Sequence, residues 1–370
     1  MKRIFLEECC EILDSMRVPI TASDRSVGPY PYYGANGIQD HVADYIFDDE
    51  LVLLAEDGGN FGSKTKPIAY RVSGKCWVNN HAHVLKPKVG IDVDYLCYSL
   101  MFYNTEELVN GATRQKLTQA AMRKMLIPQR TVQEQKNIVS ELSKVQAIIR
   151  LRQRQLQKLD ELVKVRFVEM FGDVIHNSKK WEIHTFNEIA TSRLGKMLDA
   201  KQQTRKHSYP YLANVNVQWF RFEIDNLNQM DFDESDRVEF ELKDGDLLVC
   251  EGGEIGRCAV WHNQLQPCFF QKALHRIRCD RRIIHPDYLA WWFKYNCDHG
   301  GFASIAGAKA TIAHLPGVKL KRLQVAVPEL KLQEQFAAFV EQVNKSKAAV
   351  QKALDEAQLL FDSLMQQYFS

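Results

Sequence analysis

The chain has 370 residues, 45% of them hydrophobic, and its 48 lysines and arginines against 46 aspartates and glutamates leave a net charge of +2. That length supports two or three domains with real cores, and the charge balance excludes a partner identifiable from bulk charge alone, so any nucleic-acid contact must rest on local basic clusters. No apolar run approaches the ~20 residues that span a bilayer, Glu7 and Glu8 interrupt the first apolar residues, and the nine cysteines form no disulfide-like framework. The expected location is a reducing cytoplasm.

Taken in order, the first stretch (1–127) carries short β-type runs, Leu51–Ala55 and Trp77–Val84, separated by glycine-rich turns. Tyr30-Pro31-Tyr32-Tyr33-Gly34-Ala35 and the turn Asp57-Gly58-Gly59-Asn60-Phe61-Gly62 stand out, as do His83 and Asp94-Tyr95-Leu96. A long helix is predicted over 133–171. Its apolar residues, Ile138, Leu142, Val145, Ile149, Leu156, Leu159, Val163, Phe167 and Met170, step by threes and fours, with Arg152 in one vacant position. Gly172 stops it. Such a helix, roughly 58 Å long at 1.5 Å per residue, needs a partner along one narrow stripe. Its surface carries eight basic and five acidic side chains, which suits either a solvated coiled-coil face or a docking surface.

The second half repeats the first. Phe186-Asn187-Glu188-Ile189-Ala190 resembles Leu6-Glu7-Glu8-Cys9-Cys10, and Tyr209-Pro210-Tyr211 returns the Tyr-Pro-Tyr turn. Leu247–Gly256 matches Leu53–Gly62, with a glycine pair in each turn. His275 aligns with His83, Asp287-Tyr288-Leu289 with Asp94-Tyr95-Leu96, and Gly307-Ala308-Lys309 with Gly111-Ala112-Thr113. Pro128 followed by Gln133-Glu134-Gln135 recurs as Pro328 followed by Gln333-Glu334-Gln335. A C-terminal stripe at Phe336, Val340, Val343, Val350, Leu354, Ala357, Phe361, Leu364 and Tyr368, with Lys347 in the vacant position, is the partner helix. The repeat implies an internal tandem duplication. The fold class is α/β (α+β): two mixed globular domains, each with a largely antiparallel sheet, at 1–127 and 178–327. Long helical segments at 128–177 and 328–370 join them.

The order globular domain, long helix, globular domain, long helix resembles the specificity subunit of a type I restriction-modification system. The Tyr-Pro-Tyr turn, the Gly245-Asp246-Leu247-Leu248 strand running into Glu251-Gly252-Gly253, and the proline ahead of Gln-Glu-Gln carry the resemblance, which covers essentially the whole chain. It implies two target-recognition domains, each reading half of a bipartite double-stranded DNA site, held apart by the helices as an antiparallel coiled coil. It also implies two methyltransferase subunits using S-adenosylmethionine and restriction subunits using ATP and magnesium, with no cofactor in this chain. The alternatives are a coiled-coil protein-binding adaptor, or the DNA reader of a type II-like modification enzyme.

The residues themselves point to a reader and not a catalyst. Gly58–Thr65 has the wrong glycine spacing for a phosphate-binding loop and no helix before Pro67. Neither Asn-Pro-Pro-aromatic nor Asp-Pro-Pro-aromatic occurs, and Asp287 reads as a helix N-cap and not a nuclease ligand. His81 and His83, at alternate positions of one expected strand, point to one face as packing residues, and the cysteines lack zinc spacing, so no metal site is expected. The candidate DNA contacts are Asn60, Lys64, Lys66, Arg114, Gln115 and Lys116 in the first domain and Lys206, Arg257, Lys272 and Lys309 in the second. Lysine and arginine attract phosphates, while arginine, asparagine and glutamine pair with base edges. Tyr30, Tyr32, Tyr33, Tyr209 and Tyr211 are expected to pack beneath these loops.

Overall fold

The structure, a computed structural model, describes residues 2–111, 115–199, 203–204, 206–303 and 314–370. The chain divides into two compact units, one made of residues 1–154 with 350–370, the other of 155–349.

In the first unit the sheet has six strands in the order Cys10–Ile12, Ala82–Pro87, Phe47–Ala55, Ala69–Val78, Val27–Gly34 and Gly37–Val42. All neighbours are antiparallel except Val27–Gly34 beside Ala69–Val78. The central strand shows why its sequence is apolar without alternation: Val52 and Leu54 pack toward the helix Val93–Met101, and Leu51 and Leu53 fill the opposite face. Successive strand side chains point to opposite faces, so a strand buried on both reads as a continuous run. The second unit repeats the plan with four antiparallel strands, Ala190–Leu194, Leu274–Cys279, Leu247–Cys250 and Cys258–Val260. A smaller sheet, Asn228–Asp231, Ser208–Leu212 and Phe269–Phe270, ends in a parallel pair. Leu247 and Val249 face one core, Leu248 and Cys250 the other.

Two helices of 40 residues, Val132–Phe171 and Leu330–Phe369, each begin in one unit and end in the other. In the first unit Ile138, Leu142, Val145 and Ile149 share a core with Leu354, Ala357, Phe361 and Leu364, and the Tyr368 hydroxyl donates to Glu141. In the second, Val163, Phe167 and Phe171 pack on Phe336, Val340 and Val343. There Lys347 Nζ reaches Asp160 at 2.6 Å while Phe336 meets Phe171 with ring centroids 5.4 Å apart, so the helices run antiparallel. Each globular part therefore holds the start of its own helix and the end of the other: Phe167 and Phe171 contact Tyr288 in the second unit, and Phe361 and Phe369 contact Tyr98 and Tyr95 in the first.

The repeated motifs turn out to be joints. Tyr95 donates to the Pro128 carbonyl at 2.7 Å and Tyr288 to that of Ala326 at 2.5 Å, tying the short helix to the strand that feeds the long one. His83 Nε2 lies 2.9 Å from the Leu117 carbonyl, and His275 Nε2 3.0 Å from that of Leu315. The Leu117 and Leu315 amides both donate at 2.7 Å, to the Glu56 and Glu251 carbonyls.

Several expectations are corrected. The run Trp77–Val84 is two strands, because Asn79 turns the chain: its Oδ1 accepts from the His81 amide at 2.8 Å. His81 therefore precedes the second strand and bonds Asp57, while His83 alone is buried. The helix expected to be capped by Asp287 runs Pro286–Asp298 and is capped by His285, with Asp287 in its first turn. Leu54 and Val249 sit opposite His83 and His275, so Glu56 corresponds to Glu251, one residue off the match of Leu53–Gly62 with Leu247–Gly256. The Gln-Glu-Gln match is displaced by two: the equivalent buried residues are Gln135 and Gln333. By the same register Arg152 corresponds to buried Val350, and Lys347 to Ile149.

Candidate nucleic-acid interface

In the first unit the strand Phe47–Ala55 runs into a loop whose Gly58 and Gly62 adopt φ of 62° and 74°, a region that favours glycine. The loop is held from within. Asn60 Nδ2 donates to the Pro67 carbonyl at 3.4 Å, Ser63 Oγ accepts from the Lys66 amide at 2.9 Å, and Asn36 Nδ2 donates to the Gly58 carbonyl at 3.0 Å. Lys64 and Lys66 are exposed on it. Lys116 lies beside Asp57 through a backbone bridge, which brings exposed Gln115 and Lys116 to the same end of the sheet as the glycine loop. Lys116 Nζ is 3.0 Å from Glu56 Oε1, half exposed. Lys64 also borders a cleft of about 750 Å³ with Tyr98, Asn104, Asp362 and Gln366. Arg114 lies outside the described residues.

The second unit keeps the turn but uses its charge differently. Asn214 Nδ2 donates to the Gly252 carbonyl at 2.9 Å, a bond like that of Asn36 but one residue earlier in the turn. Arg257 donates from Nη2 to the Asn214 carbonyl at 3.2 Å and to its Oδ1 at 2.8 Å, and its side chain is 19% exposed. It braces the turn from below, so of its hydrogen-bonding fork little faces outward. Lys272 is exposed, its amide bonded to the Lys196 carbonyl at 2.8 Å. Lys206 is exposed on the segment leading to the strand Ser208–Leu212. Lys309 lies outside the described residues. The turn-holding pair Asn36 and Asn214 was not singled out beforehand; its signal was an asparagine closely following each Tyr-Pro-Tyr.

The tyrosines pack. Tyr32 is buried, with Arg25 4.3 Å above its ring, Tyr30 meets Tyr45 edge-on at 5.0 Å, and Tyr209 packs on Phe269 at 5.3 Å.

Among the described residues one cluster has metal-like composition, Asp14, Glu56 and His83, whose ligand atoms lie within 4.8 Å of one another. Protein groups already occupy its oxygens. Asp14 accepts from the Val84 amide, Gln119 and His83, and Glu56 from Arg17 at 2.6 Å and Lys116. Burial raises the Asp14 carboxyl, but the hydrogen bonds from His83, Val84 and Gln119 outweigh it and hold the group below its usual range. Glu56 is likewise lowered: burial opposes, and Arg17 and Lys116 prevail. The arrangement suits an ion-pair knot under the glycine loop. The cysteine thiols at 9, 10, 76, 97, 268 and 279 are pushed up to about 11 or 12 by burial, which suits packing and not nucleophilic chemistry.

The second unit also carries an apolar cleft of about 650 Å³ between Val165, Phe167 and Val168 of the first long helix and Trp291 and Tyr295 of the short one, rimmed by Lys164, Glu169 and Lys294. Leu162, Val165 and Val168 are exposed beside it. No helix among the described residues is long and apolar enough to cross a membrane.

Two globular parts of one plan, each fused to a long helix that pairs with the other, define a duplicated specificity module. Residues 1–161 and 178–358 each match the type I restriction modification DNA specificity domain. The chain belongs to this family and is the specificity subunit of a type I restriction-modification system. It is 26% identical over 356 residues, 91% of this chain and 86% of the relative, to a protein of Haemophilus influenzae named as a type I restriction enzyme specificity subunit. A specificity subunit of that kind from Methanocaldococcus jannaschii is 22% identical over 195 residues, covering 51% of this chain and 45% of that one. The fold matches the S subunit crystal structure from M. genitalium, with a TM-score of 0.62 at 13% identity over all of this chain and 96% of that one. A structure from work on complex assembly and conformational transition of the type I R-M system gives 0.58 at 15% identity, with the same coverage.

Proposed function

We propose that each globular part reads one half of a bipartite double-stranded DNA site, and that the paired helices set the gap between the halves. The observation that carries this reading is the pattern of sameness and difference. Joints built from Tyr95 and Tyr288, His83 and His275 are equivalent in the two units, whereas the glycine loops at their ends carry different charges. Exposed Lys64, Lys66, Lys206 and Lys272 are the phosphate contacts, with Gln115 and Lys116 beside the start of the glycine loop that carries Asn60. Arg257 acts by holding its turn. Arg114 and Lys309 are assigned to the same interface from the sequence alone.

The chain itself is non-catalytic in this reading. Two methyltransferase subunits dock on the helical region, for which the exposed Leu162, Val165 and Val168 beside the apolar cleft are one suitable surface. Adenine methylation with S-adenosylmethionine and ATP- and magnesium-dependent restriction belong to those partners, and the complex works in the cytoplasm. The test is methylation-aware sequencing of DNA from cells carrying this chain with its methyltransferase. A two-part motif with a fixed gap is the expected result; methylation without a motif, or methyl transfer by the purified chain alone, overturns the reading. DNA binding should also fall steeply with salt, with a logarithmic slope of about −0.9 per phosphate neutralised.

A further inference from the structure

Gln135 and Gln333 are completely buried, an uncommon place for an amide. Each is the fourth residue of its long helix. Gln135 Oε1 accepts from the Asp92 amide at 2.8 Å, while Nε2 donates to the carbonyls of Gly90 at 3.0 Å and Arg130 at 3.1 Å. Gln333 Oε1 accepts from the His285 amide at 2.8 Å, and Nε2 donates to Ile283 at 3.1 Å and Pro328 at 2.7 Å. Both amide hydrogens and the carbonyl are thus engaged with backbone, which leaves no capacity for a ligand.

The backbone partners come from two separate segments. One is the turn ahead of the short helix of the globular part; the other is the chain just before the long helix. Each glutamine therefore bolts the first turn of a long helix to its own globular part. Tyr95 and Tyr288 add a second tie to the same strand ends. Two bonds to different segments fix a direction, where one would leave a pivot.

Direction matters because the lever is long. A helix of 40 residues extends roughly 60 Å, so a tilt of about 5° at its base moves its far end on the order of 5 Å. One base pair advances only about 3.4 Å. We propose that Gln135 and Gln333 are positioning residues for DNA recognition: each fixes the angle at which its helix leaves its reading domain, and together they limit which gaps between half-sites the subunit accepts. This rests on the two-half-site reading above. The seam residues of the helices set length; the buried glutamines set how strictly that length is enforced.

The test uses the complete complex with its methyltransferase on a DNA library in which both half-sites are fixed and the gap varies by single base pairs. The readout is methylation at the preferred gap divided by that at gaps one base pair longer or shorter. Gln333→Leu keeps the side chain's approximate size and removes its donors and acceptor, and it should lower this ratio at least tenfold with base preferences in both half-sites unchanged. Tyr288→Phe, which deletes one hydroxyl, should lower it in the same direction by a smaller factor. A loss of stability alone would reduce methylation at every gap in proportion and leave the ratio intact. A soluble Gln333→Leu complex with the wild-type ratio overturns the proposal. Should that variant not assemble, an unchanged ratio for Tyr288→Phe overturns it instead. If the wild-type complex showed no fixed gap at all, the two-half-site reading would fail first, which is a separate outcome.

Discussion

The two units perform the same backbone task with different electrostatics. His83 grips the Leu117 carbonyl from inside a network of Asp14, Gln119, Arg17, Glu56 and Lys116. His275 grips the Leu315 carbonyl where the register sets Leu194 opposite it, and among the described residues no carboxylate bonds its ring as Asp14 bonds that of His83. A polar cage in one unit and a single backbone bond in the other thus hold equivalent segments below equivalent loops. The lesson is that the joint geometry is fixed by the duplicated backbone, and the side chains around it were free to diverge once each hydrogen bond was satisfied.

The comparison can be broken most severely through the helices. Seven residues inserted after Arg154 and after Lys352, equivalent positions in the helix register, should preserve the apolar seam and lengthen each helix by roughly 10 Å. Methylation mapping should then give a gap about three base pairs longer with unchanged half-sites, and an insertion in one helix only should abolish modification. An unchanged gap would mean the helices are not the ruler.

Next comes the polar cage. Asp14→Leu strands the Val84 amide, Gln119 and His83, and should destabilise the first unit by about 3–5 kcal/mol. Calorimetry should show the loss confined to one transition, and Leu194→Ala should leave that transition in place. Equal loss in both would show that the units do not unfold independently.

Acidification separates the two histidine solutions more gently. Burial lowers the His275 pKa, with the Leu315 carbonyl and Glu251 acting against it. The folded state therefore resists protonation, and its stability is full above the ordinary value of 6.5 and falls as pH drops below it. Asp14 and Glu56 are lowered instead, so their contribution is full above their ordinary values, 3.8 and 4.5, and is lost only as pH falls beneath these. Between pH 7 and 5.5 the second unit should lose stability while the contributions of Asp14 and Glu56 hold. His275→Gln should reduce that slope in thermal melts and leave the part from His285, whose pKa burial also lowers.

The smallest effects belong to single loops. Lys64→Ala with Lys66→Ala, and Lys206→Ala with Lys272→Ala, should each weaken binding with the recognised bases of both half-sites unchanged, each pair reducing the salt slope by about 2. A relaxed base preference at either half would mean that those lysines read bases and do more than neutralise phosphates.

How much of this was legible beforehand differs by feature. The long helices were readable because a three-four stripe sustained over Ile138 to Met170 has one interpretation. The duplication was readable as well, yet the purpose of its motifs was not. The tripeptide Gln-Glu-Gln matched letter for letter in the wrong register, because only burial reveals that Gln135 and Gln333 share a role. The run Trp77–Val84 hid a turn, since Asn79 reverses the chain without glycine or proline. At the loops, residue type gave a charge but no partner: that Arg257 braces Asn214 and Lys116 meets Glu56 follows from distances along no single strand or helix.

One ion pair in the helical seam bears on how the chain recognises itself. Two helices so alike could exchange partners with a second copy, first helix against first. Asp160 meets Lys347 here, and the position of Lys347 in the first helix is Ile149. An exchanged pair of first helices would set Asp160 against Ile149 and lose its counter-charge. The half-exposed bridge contributes little to stability, on the order of 0.2–1 kcal/mol. What little it contributes is lost in the exchanged pairing, so the bridge favours the pairing of unlike helices within one chain.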